Sequence, residues 1–340
     1  MDQEGPHKTG SGGTLLLAAA ALSHKIAFMS LIINDFHSRR GWLRVGIPLA
    51  GQKPQTLEVF DAGASTDCAS DTKRPLFPRL LQFVWPLLLL LALAAQGQPR
   101  RVVAIAHRGE HVQNPENTMP AFQEAIRLGA DFIEVDVRTT SDGKLVLSHD
   151  GNVERRTDGK GEVSKMTFDE VRKLDAGIKS GPQFAGTKVP TFDEALDLAR
   201  GKIGIYVDVK QASAKDLVTH IDGHGMTDNV VIYAGLRLSK DIQALNPKLK
   251  VMPESQSESA VKQLIEELHP RVIAFGARDF TPEIIRLTKE AHAEIYVDRM
   301  GATDNPAGWQ AAIDAGADGI QTDRPGELVK FLREKGYKQP

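Results

Sequence analysis

At 340 residues, the chain is too long to be a peptide-sized or disulfide-stapled fold, and its 41% apolar and 25% charged residues exclude a chain that is fibrous or disordered throughout. A net charge of −2, from 42 basic and 44 acidic residues, removes the broad cationic field that sequence-independent nucleic-acid binding needs, while leaving room for local phosphate sites. The lone cysteine, Cys68, excludes an internal disulfide and leaves the compartment open.

Residues 1–72 carry apolar clusters broken by Gly, Ser, Pro and charge, with no sustained helical or strand period, and residues 1–75 are predicted to be a poorly ordered extension. Lys73, Arg74 and Arg79 then precede an apolar run over 80–95 whose one polar member is Gln82, with an A-x-A site at Ala92, Leu93 and Ala94. That order is a secretory signal; the run is short for a bilayer span of about 20 residues and holds Pro86. Its position leaves two readings: a type II membrane protein, or translation starting near Leu76 with residues 1–75 a gene-model extension. The second is preferred because it gives a signal of ordinary length. Export to the periplasm or the extracellular space is the expectation, with a tether at 80–95 if the segment is not cleaved.

From residue 100 onward, strand-like and helix-like segments alternate. Strands are predicted over 102–106, 132–137, 203–209, 230–233, 250–252, 272–275, 294–297 and 319–321, with helices over 117–128, 192–199, 214–223, 238–245, 258–268, 281–291, 307–315 and 326–335. Eight units in about 240 residues is the size of a (β/α)8 TIM barrel, an open doubly wound sheet being the alternative. A further strand over 144–148 follows the second too closely for a parallel crossover, so it must return as a hairpin with its turn at 141–143. The hairpin brings His149 level with Glu134 and Asp136. Residues 151–190 become an insertion above the barrel mouth.

The chemistry gathers at the strand ends. His107, Arg108 and Gly109 close the first strand, Glu134 and Asp136 lie two apart on the second, His149 ends the hairpin, and Asp208 and Lys210 end the third. Three carboxylates aimed into one cavity repel unless a cation sits between them, and oxygen ligands suit one divalent ion, Mg²⁺ or Ca²⁺. Beside Arg108 and Lys210 such an ion makes an anion site. His107 and His149 have the pKa range for a general base and a general acid. His220 and His224 show metal-like spacing but read as a solvated outer helix, and no G-x-G-x-x-G follows a strand.

With Ala106-His107-Arg108-Gly109, Pro115-Glu116-Asn117-Thr118, Glu134-Val135-Asp136-Val137, Ser148-His149-Asp150, Val189-Pro190-Thr191 and Gln321-Thr322-Asp323-Arg324-Pro325 in order, residues 103–330 resemble the glycerophosphodiester phosphodiesterase family. The resemblance implies a distorted (β/α)8 barrel, a His107/His149 acid–base pair, phosphate binding by Arg108, and a metal on Glu134 and Asp136. The family's third carboxylate is a Glu two residues before a Lys; here it is Asp208 before Lys210. Implied too is a small-molecule glycerophosphodiester, cleaved when its own glycerol hydroxyl attacks phosphorus through a cyclic phosphate. Lys210, Glu116 and Tyr296 join Arg108 on the substrate side, although Glu116 and Asn117 could instead cap a helix. Where many members carry a Trp and an Asn, this chain reads Tyr296-Val297-Asp298, and a carboxylate there favours a cationic or hydroxyl-rich leaving group. Two other readings remain: a phospholipase D-like enzyme acting on lysophospholipids or sphingomyelin, and a phosphate- or headgroup-binding barrel without turnover.

Overall fold

Runs of β-branched residues buried on both faces build the central sheet, as expected where helices cover parallel strands. The structure, a computed structural model, describes residues 100–339, together with the backbone of 44–47 and 55–58. The chain divides into two units, residues 1–84 and 85–340. In the first, β1 (Arg44–Ile47) and β2 (Gln55–Glu58) pair antiparallel. The predicted signal over 76–95 and the rest of the extension lie outside the described residues. Among the described residues no helix is long and apolar enough to cross a membrane.

In the second unit, β3 (Val103–Ala106), β4 (Phe132–Thr139), β5 (Leu145–Leu147), β6 (Gly204–Gln211), β7 (Val230–Tyr233), β8 (Lys250–Met252), β9 (Val272–Phe275), β10 (Glu294–Asp298) and β11 (Gly319–Thr322) form one sheet. All but β5 run parallel, in the order β8-β7-β6-β4-β3-β11-β10-β9. A parallel bridge from Glu254 to Ala274 joins the two ends, so eight strands close into the barrel that the alternation predicted. The helices are α1 (Met119–Leu128), α2 (Phe168–Lys173), α3 (Phe192–Ala199), α4 (Ala214–Gly223), α5 (Leu236–Leu245), α6 (Glu258–Leu268), α7 (Pro282–Glu290), α8 (Pro306–Ala315) and α9 (Pro325–Glu334).

Period-two alternation sorts β4. Ile133, Val135 and Val137 pack outward against Phe122, Phe192 and Leu196, which turns Glu134 and Asp136 into the barrel. The inner layer beneath them is Ile105, Tyr206, Val231, Met252, Val272 and Tyr296.

The hairpin is as predicted: β5 pairs antiparallel with β4, Thr140 N donates to Lys144 O at 2.9 Å, and Gly143 supplies the left-handed residue at φ 83°. The insertion over 151–190 has an apolar interior. Val153, Val163, Val171, Ala176 and Val189 are buried together under Met166, Phe168 and Leu174, a small core of its own. It also holds α2, which none of the predicted helices covers. Thr167 starts this helix with a capping box, its hydroxyl receiving Glu170 N while the Glu170 carboxylate receives Thr167 N.

Candidate active site

The site begins where β3 ends. His107 N donates to Thr322 O, then Arg108 (φ 53°) and Gly109 (φ 80°) turn the chain in the left-handed region. For arginine that conformation is costly, about 1 kcal/mol or more. The turn sets Arg108 N against Glu134 Oε2 at 2.7 Å and places the guanidinium 3.3 Å from both Glu116 and Asp136. Gly109 is required by space as well as by φ, since a Cβ there would lie 2.8 Å from the carbonyl carbon of Ala121. Gly109→Ala is therefore expected to cost about 2 kcal/mol or more in chemical denaturation; unchanged stability would show that this turn yields freely.

The parallel register puts Asp136 beside Asp208, with Glu134 two residues earlier on the same face. One ligand atom each of Glu134, Asp136 and Asp208 lie within 4.8 Å of one another. Burial, and then the charges of Asp136 and Asp208, hold the Glu134 carboxyl well above the usual carboxylate range. Burial also raises Asp208 against the pull of Lys210, whose Nζ donates to Asp208 Oδ2 at 2.8 Å. Asn117 grips Asp136 from both sides, its Nδ2 donating to Oδ2 at 2.6 Å and its Oδ1 accepting from the Asp136 amide at 3.1 Å. The other oxygen, Asp136 Oδ1, is buried without a hydrogen bond, and Lys210 Nζ stands 3.3 Å away. Three hard oxygen donors, one of them orphaned, fit a divalent cation.

Each histidine is keyed at one nitrogen by a carboxylate. His107 Nδ1 lies 2.7 Å from Asp323 Oδ1, and His149 Nδ1 lies 2.7 Å from Asp150 Oδ1. A carboxylate accepting from Nδ1–H leaves Nε2 of each ring as the working atom. Asp150 is itself bonded by Arg155, and Arg138 Nη2 donates to His149 O at 2.7 Å. Burial pulls His107 below the ordinary histidine value, opposed by Asp323, so its imidazole is neutral at neutral pH. His111 stacks edge-on at 5.4 Å and donates from Nδ1 to His107 O at 2.7 Å.

The structure thus brings together His107, Arg108, Glu134, Asp136, His149, Asp208 and Lys210. Of the other two expected residues, one lies deeper in the barrel and one is enclosed by arginines. Tyr296 is one layer below the mouth, its ring edge-on to Phe132 at 6.5 Å, and its phenol is raised by burial and by Glu294, Asp131 and Asp318 near the N-terminal strand ends. The period-two face that includes Tyr296 reaches the mouth only at Asp298. Glu116 is enclosed by Arg108, Arg155 and Arg156, which hold its carboxyl low against the opposing effect of burial. It contacts Arg108 and ties the insertion to the barrel. Asp323 had no expected role and Asn117 only that of a helix cap, a place that Thr118 takes; the signal for both was their presence in the matched motifs. His220 and His224 bond Asp193 and Asp197 on the outer surface.

Residues 107–327 match the Glycerophosphoryl diester phosphodiesterase family. Over 250 residues the chain is 34% identical to a glycerophosphodiester phosphodiesterase of Caldanaerobacter subterraneus subsp. tengcongensis, covering 69% of this chain and 100% of that one. It is 42% identical over 117 residues to glycerophosphodiester phosphodiesterase 1 of Homo sapiens, covering 33% of this chain and 35% of the human protein. Among solved structures, a glycerophosphodiester phosphodiesterase from Agrobacterium tumefaciens str. C58 superimposes with TM-score 0.62 at 28% identity, covering 67% of this chain and 99% of that one. The fold is also shared with an Oleispira antarctica phosphodiesterase solved in complex with the product sn-glycerol-3-phosphate, at TM-score 0.63 and 23% identity, covering 68% and 96%.

Proposed function

As the chain belongs to the glycerophosphoryl diester phosphodiesterase family, we propose that its barrel mouth hydrolyses glycerophosphodiesters to an alcohol and sn-glycerol 3-phosphate. The observation that carries this reading is the pair of carboxylate-keyed imidazoles, His107–Asp323 and His149–Asp150, beside the three-carboxylate cluster and its two cations. Arg108 and Lys210 hold the phosphate oxygens. His107 Nε2, neutral because its ring is buried, takes the proton of the glycerol hydroxyl as that oxygen bonds to phosphorus. His149 Nε2 donates a proton to the alcohol oxygen as its bond to phosphorus breaks. With the roles reversed, His149 takes a proton from water and His107 returns one to the glycerol oxygen, opening the cyclic phosphate. A divalent ion held by Glu134, Asp136 and Asp208 would neutralise charge on the phosphoryl oxygens, and the donor set favours Mg²⁺ or Ca²⁺.

The burial of the insertion's valines in their own core supports a water-soluble diester over a lysophospholipid, whose acyl chain needs an apolar lip. Export remains part of the proposal, supported by the order of basic, apolar and A-x-A residues over 73–94. N-terminal sequencing of protein from the exported fraction tests it: a start after residue 94 is expected, and an intact start in the cytoplasm would reverse it.

The direct test strips the full chain with a chelator and follows glycerol 3-phosphate release from glycerophosphocholine and glycerophosphoethanolamine with no metal, Mg²⁺ or Ca²⁺. Metal-restored release is expected. A folded protein silent with every ion would favour the binding-only barrel. Asp323→Asn should keep the fold and lower kcat by about 10²-fold with little change in KM, because Asn no longer selects the His107 tautomer; an unchanged kcat would take that role from Asp323.

A further inference from the structure

Besides the carboxylate cluster, the ends of β3 and β11 bring together a second group of ligand-bearing side chains. One ligand atom each of His107, His111 and Asp323 lie within 4.8 Å of one another. The group is held stiffly. His111 donates its Nδ1 proton to His107 O at 2.7 Å. Asp304, only 3% exposed, receives the Asp323 amide at 2.8 Å and the Thr322 hydroxyl, and so fixes the end of β11 that carries Asp323.

The bond to His107 O decides the His111 tautomer: with the proton on Nδ1, the other nitrogen, Nε2, carries a lone pair. That nitrogen faces Asp323 Oδ1 at 3.5 Å, beyond the length of a good hydrogen bond. A lone pair set against a carboxylate is unfavourable, and only a positive species between them, a proton or a metal ion, reverses the sign. The same Asp323 oxygen lies 2.7 Å from His107 Nδ1, so it serves both rings. Arg108 does not fill the place, because its guanidinium is committed to Glu116 and Asp136, 3.3 Å from each. His111 and Asp323 also line a cavity of about 720 Å³ with Glu110, Glu124 and Glu327 among its walls, an acidic approach for a cation.

Two imidazoles and one carboxylate are a donor set unlike the all-oxygen cluster of Glu134, Asp136 and Asp208. Nitrogen donors favour late first-row ions such as Zn²⁺, Co²⁺ or Ni²⁺ over Mg²⁺ and Ca²⁺. We propose that His107, His111 and Asp323 form a second metal site, which takes such a transition ion and switches the barrel mouth off. The site stands on these three side chains; the switch rests on the hydrolysis proposed above. A metal bound at His107 Nδ1 occupies the lone pair of that nitrogen, so the single proton of the neutral ring moves from Nδ1 to Nε2. An Nε2–H cannot accept the proton of the glycerol hydroxyl, and the base is lost while the fold is kept.

The test titrates Co²⁺ into the full chain with millimolar Mg²⁺ present to occupy the carboxylate cluster, and counts the ions bound by equilibrium dialysis. His111→Asn keeps a donor for His107 O and removes Nε2, and Asp323→Asn removes the carboxylate. Each variant is expected to bind one Co²⁺ fewer per chain than the wild type; an undiminished count in both would overturn the site. Zn²⁺ should also inhibit glycerol 3-phosphate release from glycerophosphocholine. Measured against each protein's own zinc-free rate, the inhibition constant should rise at least about tenfold in His111→Asn, since loss of even an outer partner weakens a metal site that much. Equal inhibition of the variant and the wild type would overturn the switch. Turnover absent with every ion would sink the hydrolysis reading, while the lost Co²⁺ would still sustain the site.

Discussion

His149→Ala should lower the rate of glycerophosphodiester hydrolysis by about 10³-fold while the protein melts where the wild type does. His149 is half-buried at the end of the β4–β5 hairpin and touches Asp150 through Nδ1, so its removal opens little cavity. The hairpin itself is held by backbone bonds, among them Ser148 N to Asp136 O at 2.9 Å. The role assigned to the ring makes a sharper demand. If His149 protonates the departing alcohol, a nitrophenyl ester of glycerol phosphate, whose phenolate leaves without a proton, should in a single turnover release nitrophenolate from His149→Ala almost as fast as from the wild type, the loss then falling on the opening of the cyclic phosphate. His107→Ala should be slow with both substrates, since the attacking hydroxyl still needs its base. Equal losses for the two variants on the nitrophenyl ester would reverse or dissolve the assignment.

Removing a carboxylate of the proposed metal site should abolish turnover and yet stabilise the metal-free protein. Glu134 is the place to see it, because burial and the charges of Asp136 and Asp208 press on it together. Glu134→Gln keeps an oxygen to accept Arg108 N, the bond of 2.7 Å that anchors the left-handed turn. The native pKa of Glu134 lies above its unfolded value, so the native state holds more protons than the unfolded one between the two values. Its contribution to stability is complete below the unfolded value near 4.5 and is lost as pH rises through the native one. With chelator present, wild-type Tm should fall as pH rises from about 4.5, and the variant should fall less and melt several degrees higher near neutrality, a gain of about 1 to 2 kcal/mol at 2–4 °C per kcal/mol in a domain this size. Adding Mg²⁺ or Ca²⁺ should raise the wild-type Tm by mass action and leave the variant unmoved. A less stable variant, or one that gains as much from metal, would remove Glu134 from the metal centre.

Local chemistry was enough to read most of the molecule from its sequence. Two-residue and helical periods mark the eight barrel strands and all the helices but α2, and the short spacing between β4 and β5 forces the hairpin that delivers His149. The same alternation turns Glu134, Asp136, Asp208 and Lys210 inward. Even α2 was legible: Thr167-Phe168-Asp169-Glu170 repeats the signature of Thr191-Phe192-Asp193-Glu194 at the start of α3. Its few turns and polar flanks hid it.

What needed the closed barrel was every relation between distant strands. Asp323 meets His107 across 216 residues, because β11 is the neighbour that completes the ring beside β3. Arg155 and Arg156 enclose Glu116 because the insertion folds over the barrel on a small core, a relation that only the tertiary structure provides. Tyr296 and Asp298 share a face, and depth in the barrel, which no one-dimensional pattern contains, leaves the tyrosine in the floor and the carboxylate at the mouth. The sequence by itself determined which way each side chain points from its own strand, since that depends on covalent geometry and a period of two. Which side chains meet was decided only by the tertiary structure, because closure sets strand order, register and height together.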